Sequence, residues 1–307
     1  MSASRARAFL EQHGLAAHRD RGQNFLHDER VAERLVELAG VGADEAVIEI
    51  GTGLGMLTRC LAARARHVET IEIDAGLVRA LGGASGSGPG GAAGSGPGGA
   101  AGSGPGLASG LPANVRLRHA DALAVDLSAL LREIGAPARV VANLPYSVAT
   151  PLLRRFLDLG TGVRGIAVMV QRELAARIRA RPGSADYGSL AILHAWAVSQ
   201  GEAIDLPASC FHPAPKVTST FLCMSPRDPA LAPAELRSLE GVVRAGFAHR
   251  RKTLINSLAR AADIQASRTA VALREIGLDA RVRAEQLDPG QWLVLARRLL
   301  GNRSETA

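Results

Sequence analysis

Apolar residues along the first half of the chain alternate between two rhythms. DERVAERLVELAGV (28–41) spaces them by a helical turn behind an acidic start, which predicts a helix. EAVIEI (45–50) is a short continuous apolar run ending in a glycine-rich turn, the pattern of a buried parallel strand. MLTRCLAARA then predicts a helix and HVETIEID (67–74) a second strand. VRLRHADAL (115–123) predicts a third strand running into Asp121, and ARVVANLPY a fourth, with a helix from about Val148. GIAVMVQRELAARIRA (165–180) reads as strand then helix, SLAILHAWAV as a helix, and KVTSTFLCM as a late alternating strand. Strands alternating with helices predict a doubly wound α/β sheet.

Two stretches break that rhythm. Between 82 and 112, GSGPGGAA stands at 86–93 and again at 94–101, followed by GSGPG at 102–106. Such a segment has no large apolar group to offset its ordering entropy and is expected to be a disordered loop. A coil of about 30 residues spans roughly 30 Å, so it closes easily between neighbouring elements. The second break is SPRDPALAP (225–233), whose prolines mark a linker. From there only helical periodicity follows, in AELRSLEGVVRAGFAHR, RKTLINSLARA, SRTAVALREIG and PGQWLVLARRLL. The expected organisation is a catalytic α/β domain at 1–226, interrupted by the 82–112 insert, and a smaller all-α domain at 227–307.

Composition narrows the setting. The 307 residues allow one large domain or two. No apolar run is long enough to span a bilayer, and the N-terminus lacks the apolar core of a secretion signal. Cys60, Cys210 and Cys223 form no CxxC pair, so reduced thiols and a cytoplasmic location are expected. The scattered histidines indicate no metal site. Net charge is +7 and the sequence pI about 10.3, carried by arginine, with Lys216 and Lys252 the only lysines. A basic surface fits a phosphate-bearing partner, and a GC-rich genome produces the same arginine excess.

The chemistry sits at strand ends. EIGTGLG puts Gly51, Gly53 and Gly55 between a strand and a helix, where main chain approaches a ligand closely. The third glycine of a dinucleotide fingerprint would fall at 56, where Met56 stands, which disfavours an NAD-dependent oxidoreductase. The E-x-G-x-G form resembles the nucleoside site of S-adenosylmethionine-dependent methyltransferases. Glu72, ending the second strand, is placed to accept from two ribose hydroxyls, and Asp121 from an adenine amine. In VVANLPYSVATPLL (140–153) an apolar run stops at Asn143, bends through Leu144 and Pro145 and shows Tyr146 before a helix begins. That is either a strand, turn and N-cap, or a grip on a flat substrate that carries an amine.

These motifs, with GQNFL from Gly22, FHPAPKVTSTF and FAHRRKTLINSL, resemble in order and spacing the ribosomal RNA adenine dimethyltransferase family. The likeness covers nearly the whole chain outside the Gly-rich insert. RARPGSADYGSLAI and RRKTLINSL are more similar to its small-subunit branch than to the large-subunit branch that confers antibiotic resistance. The resemblance implies a Rossmann-like class I methyltransferase sheet that binds S-adenosylmethionine. It implies a cofactor lid at Gln23, Asn24 and Leu26, and cofactor contacts from Gly51, Gly53, Glu72, Asp121 and Asn143. The target amine would meet the Asn143 oxygen and the Leu144 carbonyl, with Pro145 fixing the turn. Tyr146 would stack on one face of the base and Phe211 cover the other; alternatively each packs only as core. Arg250, Arg251 and Lys252 would contact RNA, or form a solvated helix end. The implied reaction is dimethylation of adjacent adenines in the 3′-terminal hairpin loop of small-subunit (16S) rRNA, within a partly assembled 30S subunit, by a monomer. The competing reading is a non-catalytic RNA-binding assembly factor on the same scaffold. The insert and Ile255, where the family often carries a base, depart from the family pattern.

Overall fold

The computed structural model describes residues 2–18, 22–82, 110–135, 138–228, 231–249 and 251–301. Most of the Gly-rich stretch (83–109) lies outside the described residues, as do Arg19, Arg21 and Arg250.

The chain divides into two compact units, Met1–Gln171 with Glu202–Cys223, and Arg172–Gly201 with Met224–Ala307. The first begins with α1 (Ala3–Gln12), β1 (Phe25–Leu26) and α2 (Glu29–Leu38). Next come β2 (Ala46–Ile50), α3 (Met56–Ala62), β3 (His67–Glu72), α4 (Ala75–Ala80) and β4 (Val115–His119). Then follow α5 (Leu127–Ile134), β5 (Ala138–Asn143), α6 (Ala149–Leu157) and β6 (Val163–Gln171). After α7 (Arg172–Arg179) and α8 (Ser189–Ala197) the chain returns through β7 (Val198–Leu206), β8 (Phe211–His212) and β9 (Ser219–Pro226). Four helices end it: α9 (Pro233–Phe247), α10 (Leu254–Ala261), α11 (Ala266–Glu275) and α12 (Pro289–Leu300).

Among the described residues seven strands form one sheet in the order β4-β3-β2-β5-β6-β9-β7. Strand β2 lies parallel to β3, with Ile50 opposite Ile71, and parallel to β5, with Ile50 opposite Ala142. The chain therefore winds outward from β2 through β3 and β4, then returns to β2's other side and winds the opposite way through β5 and β6. A doubly wound sheet binds ligands where that winding reverses, outside the carboxyl ends of the strands. Every residue of AVIEI is buried, as expected of a strand covered on both faces. Aspartates set the helix starts: Asp28, Asp74 and Asp126 accept from main-chain N–H groups of α2, α4 and α5.

In the second unit, α7 and α8 join the helices the sequence assigns to 227–307. Its mostly aliphatic core carries one aromatic cluster: Phe247 stacks on Trp292 and meets Tyr187 edge-on, while the Tyr187 hydroxyl donates to the Leu287 carbonyl at 2.8 Å. Asp288, Pro289 and Gln291 start α12 with a reciprocal capping box.

The structure corrects several boundaries. Strand β4 ends at His119, two residues before Asp121, because Asp121 turns the chain by accepting from Leu123 N at 2.8 Å. The late strand starts at Ser219, after Lys216. Strand β7 has no counterpart in the sequence reading. It is last in the sheet order and exposed along most of its length, so it carries no apolar signal. A Cβ on Gly82 would stand 3.8 Å from the Gly110 Cα, so the flanks of the Gly-rich stretch lie side by side.

Glu49, in the middle of β2, is 0% exposed. Thr58 Oγ1 donates to its Oε2 at 2.7 Å, and its Oε1 has no partner. Burial, opposed by the Thr70 and Thr58 hydroxyls, pushes its carboxyl up to about 8. Folded protein thus holds a proton at neutral pH that the unfolded chain releases. The corresponding stability is fully present below about pH 4.5 and is lost as pH rises to about 8. Glu49→Gln is expected to flatten this decline, measured as urea-unfolding free energies at about pH 5.5, 7 and 8.5.

Candidate functional site

The glycine-rich turn leaves β2 at the point where the winding reverses. Gly51 N donates to the Ile71 carbonyl at 2.8 Å, holding the turn against β3. Gly51 and Gly53 have φ of +82° and +56°, a region that costs other residues strain. A Cβ on Gly53 would also stand 3.1 Å from Phe25 Cδ1. Arg59 fastens the far side of the turn, donating to the Gly55 and Gly110 carbonyls at 3.0 Å each.

Glu72 ends β3 and is 5% exposed. Its Oε2 accepts from Gly53 N at 3.1 Å and its Oε1 from Asp74 N at 2.9 Å. Burial raises its carboxyl above the ordinary range, and these two N–H groups oppose that rise. The Ile73 N–H also favours the charged form, and the two oxygens together keep acceptor capacity beyond these donors. Asp121, one strand over, commits one oxygen to Leu123 N. Its loop is clamped by Arg155, which donates to the Ala122 carbonyl at 2.7 Å.

The segment before β1 closes over these strand ends. Gln23 Oε1 accepts from His18 N at 2.9 Å, and its Nε2 donates to Asp74 Oδ2 at 3.4 Å. Asn143 Nδ2 donates to the Asn24 carbonyl at 3.0 Å. A carbonyl only accepts, so this bond sets the amide: its NH2 is committed and Oδ1 is the atom left to accept. Leu144 N donates to the Met169 carbonyl at 3.2 Å, and Val148 N to the Pro145 carbonyl at 3.1 Å, so the Asn-Leu-Pro-Tyr turn is fixed at both ends. The Tyr146 hydroxyl lies 2.8 Å from Ser219 Oγ.

Gln23, Asn24, Gly51, Gly53, Glu72 and Asp121 line one cavity of about 270 Å³. Asn143, Leu144, Pro145 and Tyr146 line the same cavity. Leu26 and Phe211 do not. They pair in register across β1 and β8 and sit in the hydrophobic core with Leu206 and Phe221, Phe211 only 3% exposed. The antiparallel pair draws both side chains into the core, away from the cavity wall on which the sequence reading expected them. Arg251 and Lys252 are exposed and precede α10 in a turn of the second unit. Sequence reasoning missed Phe25 and Ile73 on the wall, Ile73 being 52% exposed. An apolar residue directly after the strand-end carboxylate was the available signal.

A buried glutamate with acceptor capacity, a second carboxylate one strand over, and apolar side chains between them fit a nucleoside. Among the described residues no cluster of three or more His, Cys, Asp or Glu stands ready for a metal ion. Nor is any helix among them long and apolar enough to cross a membrane.

Comparison with known proteins agrees with this geometry. The family model described as ribosomal RNA adenine dimethylase matches residues 14–85 and 108–300. Ribosomal RNA small subunit methyltransferase A of Magnetococcus marinus is 38% identical over 293 residues, 95% of this chain and 95% of the relative. The protein of that name from Geobacillus thermodenitrificans is 35% identical over 303 residues, 96% and 95% of the two chains. Among solved structures, a dimethyladenosine transferase from Plasmodium falciparum shares the fold, with TM-score 0.67 and 21% identity over 88% of this chain and 95% of its own. The 23S rRNA methyltransferase ErmE matches with TM-score 0.59 and 26% identity, over 90% and 99%.

The turn geometry makes a direct prediction. Gly53→Ala imposes a left-handed φ on an L-residue and crowds Phe25, and is expected to cost about 1–2 kcal/mol of stability in urea unfolding.

Proposed function

The chain belongs to the ribosomal RNA adenine dimethylase family, and from that premise we propose that it dimethylates adjacent adenines in the 3′-terminal hairpin loop of small-subunit rRNA. It is an S-adenosylmethionine-dependent rRNA adenine N6,N6-dimethyltransferase. The small-subunit assignment is supported by relatives named for that activity at 38% and 35% identity over nearly the full chain, against 26% for the 23S-directed enzyme.

The observation that carries the catalytic reading is the Asn143–Asn24 bond, which leaves Oδ1 of Asn143 as an acceptor on the cavity wall. The exocyclic amine of adenine is a weak nucleophile because its lone pair is delocalised into the ring. Acceptors at Asn143 Oδ1 and the Leu144 carbonyl would hold the N–H bonds out of the ring plane and return the lone pair to nitrogen. Tyr146 would stack on the base, a contact worth about 1–3 kcal/mol. The adenine must leave its own stack first, which costs least in a loop. Glu72, Asp121 and Ile73 would hold ribose, adenine amine and purine face, with Gln23 and Asn24 closing the mouth. S-adenosylmethionine, when bound there, supplies a sulfonium methyl that is already strongly electrophilic. The protein's part is positioning and electrostatics, and no dedicated base is required because the product ammonium loses its proton readily. A monomer acting on a partly assembled 30S subunit in the cytosol completes the reading, with Arg251 and Lys252 on phosphates and a role in small-subunit biogenesis.

The test uses labelled S-adenosylmethionine and undermethylated small subunits, with modified adenines mapped by mass spectrometry. Dimethyladenosine at adjacent loop positions is expected, reduced roughly 100-fold or more in Asn143→Ala. Subunit binding without methyl transfer would sink the catalytic reading in favour of an assembly factor. Label confined to large-subunit rRNA would reassign the substrate. Arg251→Ala with Lys252→Ala is expected to lower the salt dependence of subunit binding by a log–log slope of about 1–2 and leave cofactor affinity unchanged.

A further inference from the structure

Tyr146 is fixed at more than its peptide bonds. Its main chain lies under Gly22, where a Cβ would stand 3.4 Å from Tyr146 N and 3.8 Å from Tyr146 Cβ. Its hydroxyl meets Ser219 Oγ at 2.8 Å. Ser219 is the first residue of β9, 1% exposed, and β9 is separated from β5 in the sheet by β6 alone. The ring thus reaches across one strand to a buried hydroxyl in rigid secondary structure. Burial pushes the phenol above its ordinary range, so the hydroxyl stays protonated and the bond intact at neutral pH.

We propose that Ser219 is a positioning residue for methyl transfer, holding the Tyr146 ring at the angle from which it stacks on the target adenine. The inference rests on the reading of Tyr146 as the stacking residue. A tyrosine side chain has two soft torsions, and an aromatic platform is useful only when they are set before the base arrives. Anchoring the hydroxyl removes that freedom. Phe211 is packed in the core, so no described aromatic shares the task from its expected position, and the orientation of Tyr146 matters the more. Ser219 touches no reacting atom in this scheme; it acts through the ring.

The experiment is a double-mutant cycle on the full chain, with undermethylated small subunits as substrate. Ser219→Ala and Tyr146→Phe each remove the same hydrogen bond, and the second keeps the ring. Each is expected to lower kcat/KM for the subunit by about 3- to 10-fold, the range one hydrogen bond covers. The double variant should be no slower than either single one. S-adenosylmethionine affinity by calorimetry should match wild type in all three. Wild-type turnover in Ser219→Ala would overturn the proposal, as would defects that multiply in the double variant. So would a loss of cofactor affinity alongside activity in Ser219→Ala, which marks a general structural role. Tyr146→Ala separates the two levels of the argument: if it transfers methyl at the wild-type rate, the stacking reading fails whatever Ser219 does.

Discussion

The hydrogen bond from Asn143 Nδ2 to the Asn24 carbonyl joins positions 119 residues apart, and much of the site depends on it. It commits the amide NH2 and leaves Oδ1 as the atom able to accept further. It also brings the segment before β1 down onto the strand ends, where Gln23 reaches Asp74 and Gly22 lies along Tyr146. One contact therefore links the segment over the cavity to the polarity of the Asn-Leu-Pro-Tyr turn. Rotating the amide would place two acceptors, Oδ1 and the Asn24 carbonyl, against each other across that bond and leave the NH2 in place of the oxygen.

Around this contact the sheet supplies rigidity and the buried carboxylates supply charge at a cost. Strands β2, β3 and β5 hold Gly51, Glu72 and Asn143 at neighbouring ends through parallel register. Glu72 is kept buried beside Glu49, whose proximity adds repulsion between the two carboxyls. Main-chain N–H groups of Gly53 and Asp74 offset part of the desolvation of Glu72, so its oxygens are oriented before any ligand arrives. Neutral Glu49 and partly compensated Glu72 thus share a crowded strand end without both carrying a bare charge.

Much of the architecture was legible because β2, β5 and β6 carry short apolar runs, helical stretches alternate with the strands, and the Asn-Leu-Pro-Tyr turn interrupts one run with Asn and Pro. The glycines, Glu72 and Asp121 announced themselves as polar or small residues at or just beyond strand ends. What sequence could not supply was pairing at long range. Leu26 and Phe211 both belong to recognisable motifs, yet a two-residue antiparallel ladder turns them into the core. The Tyr146–Ser219 contact joins two motifs read separately, and nothing local in either indicates it. Strand β7, polar and at the sheet's edge, offered no periodicity to read.

The adjacency of Gly82 and Gly110 bears on the length of the chain that joins them. Where two flanks already lie side by side, the cost of closing the connection depends only weakly on its length, each doubling adding about 0.6 kcal/mol. Adding or removing a GSGPGGAA unit between these flanks is therefore expected to leave the strand ends of the cavity where they stand.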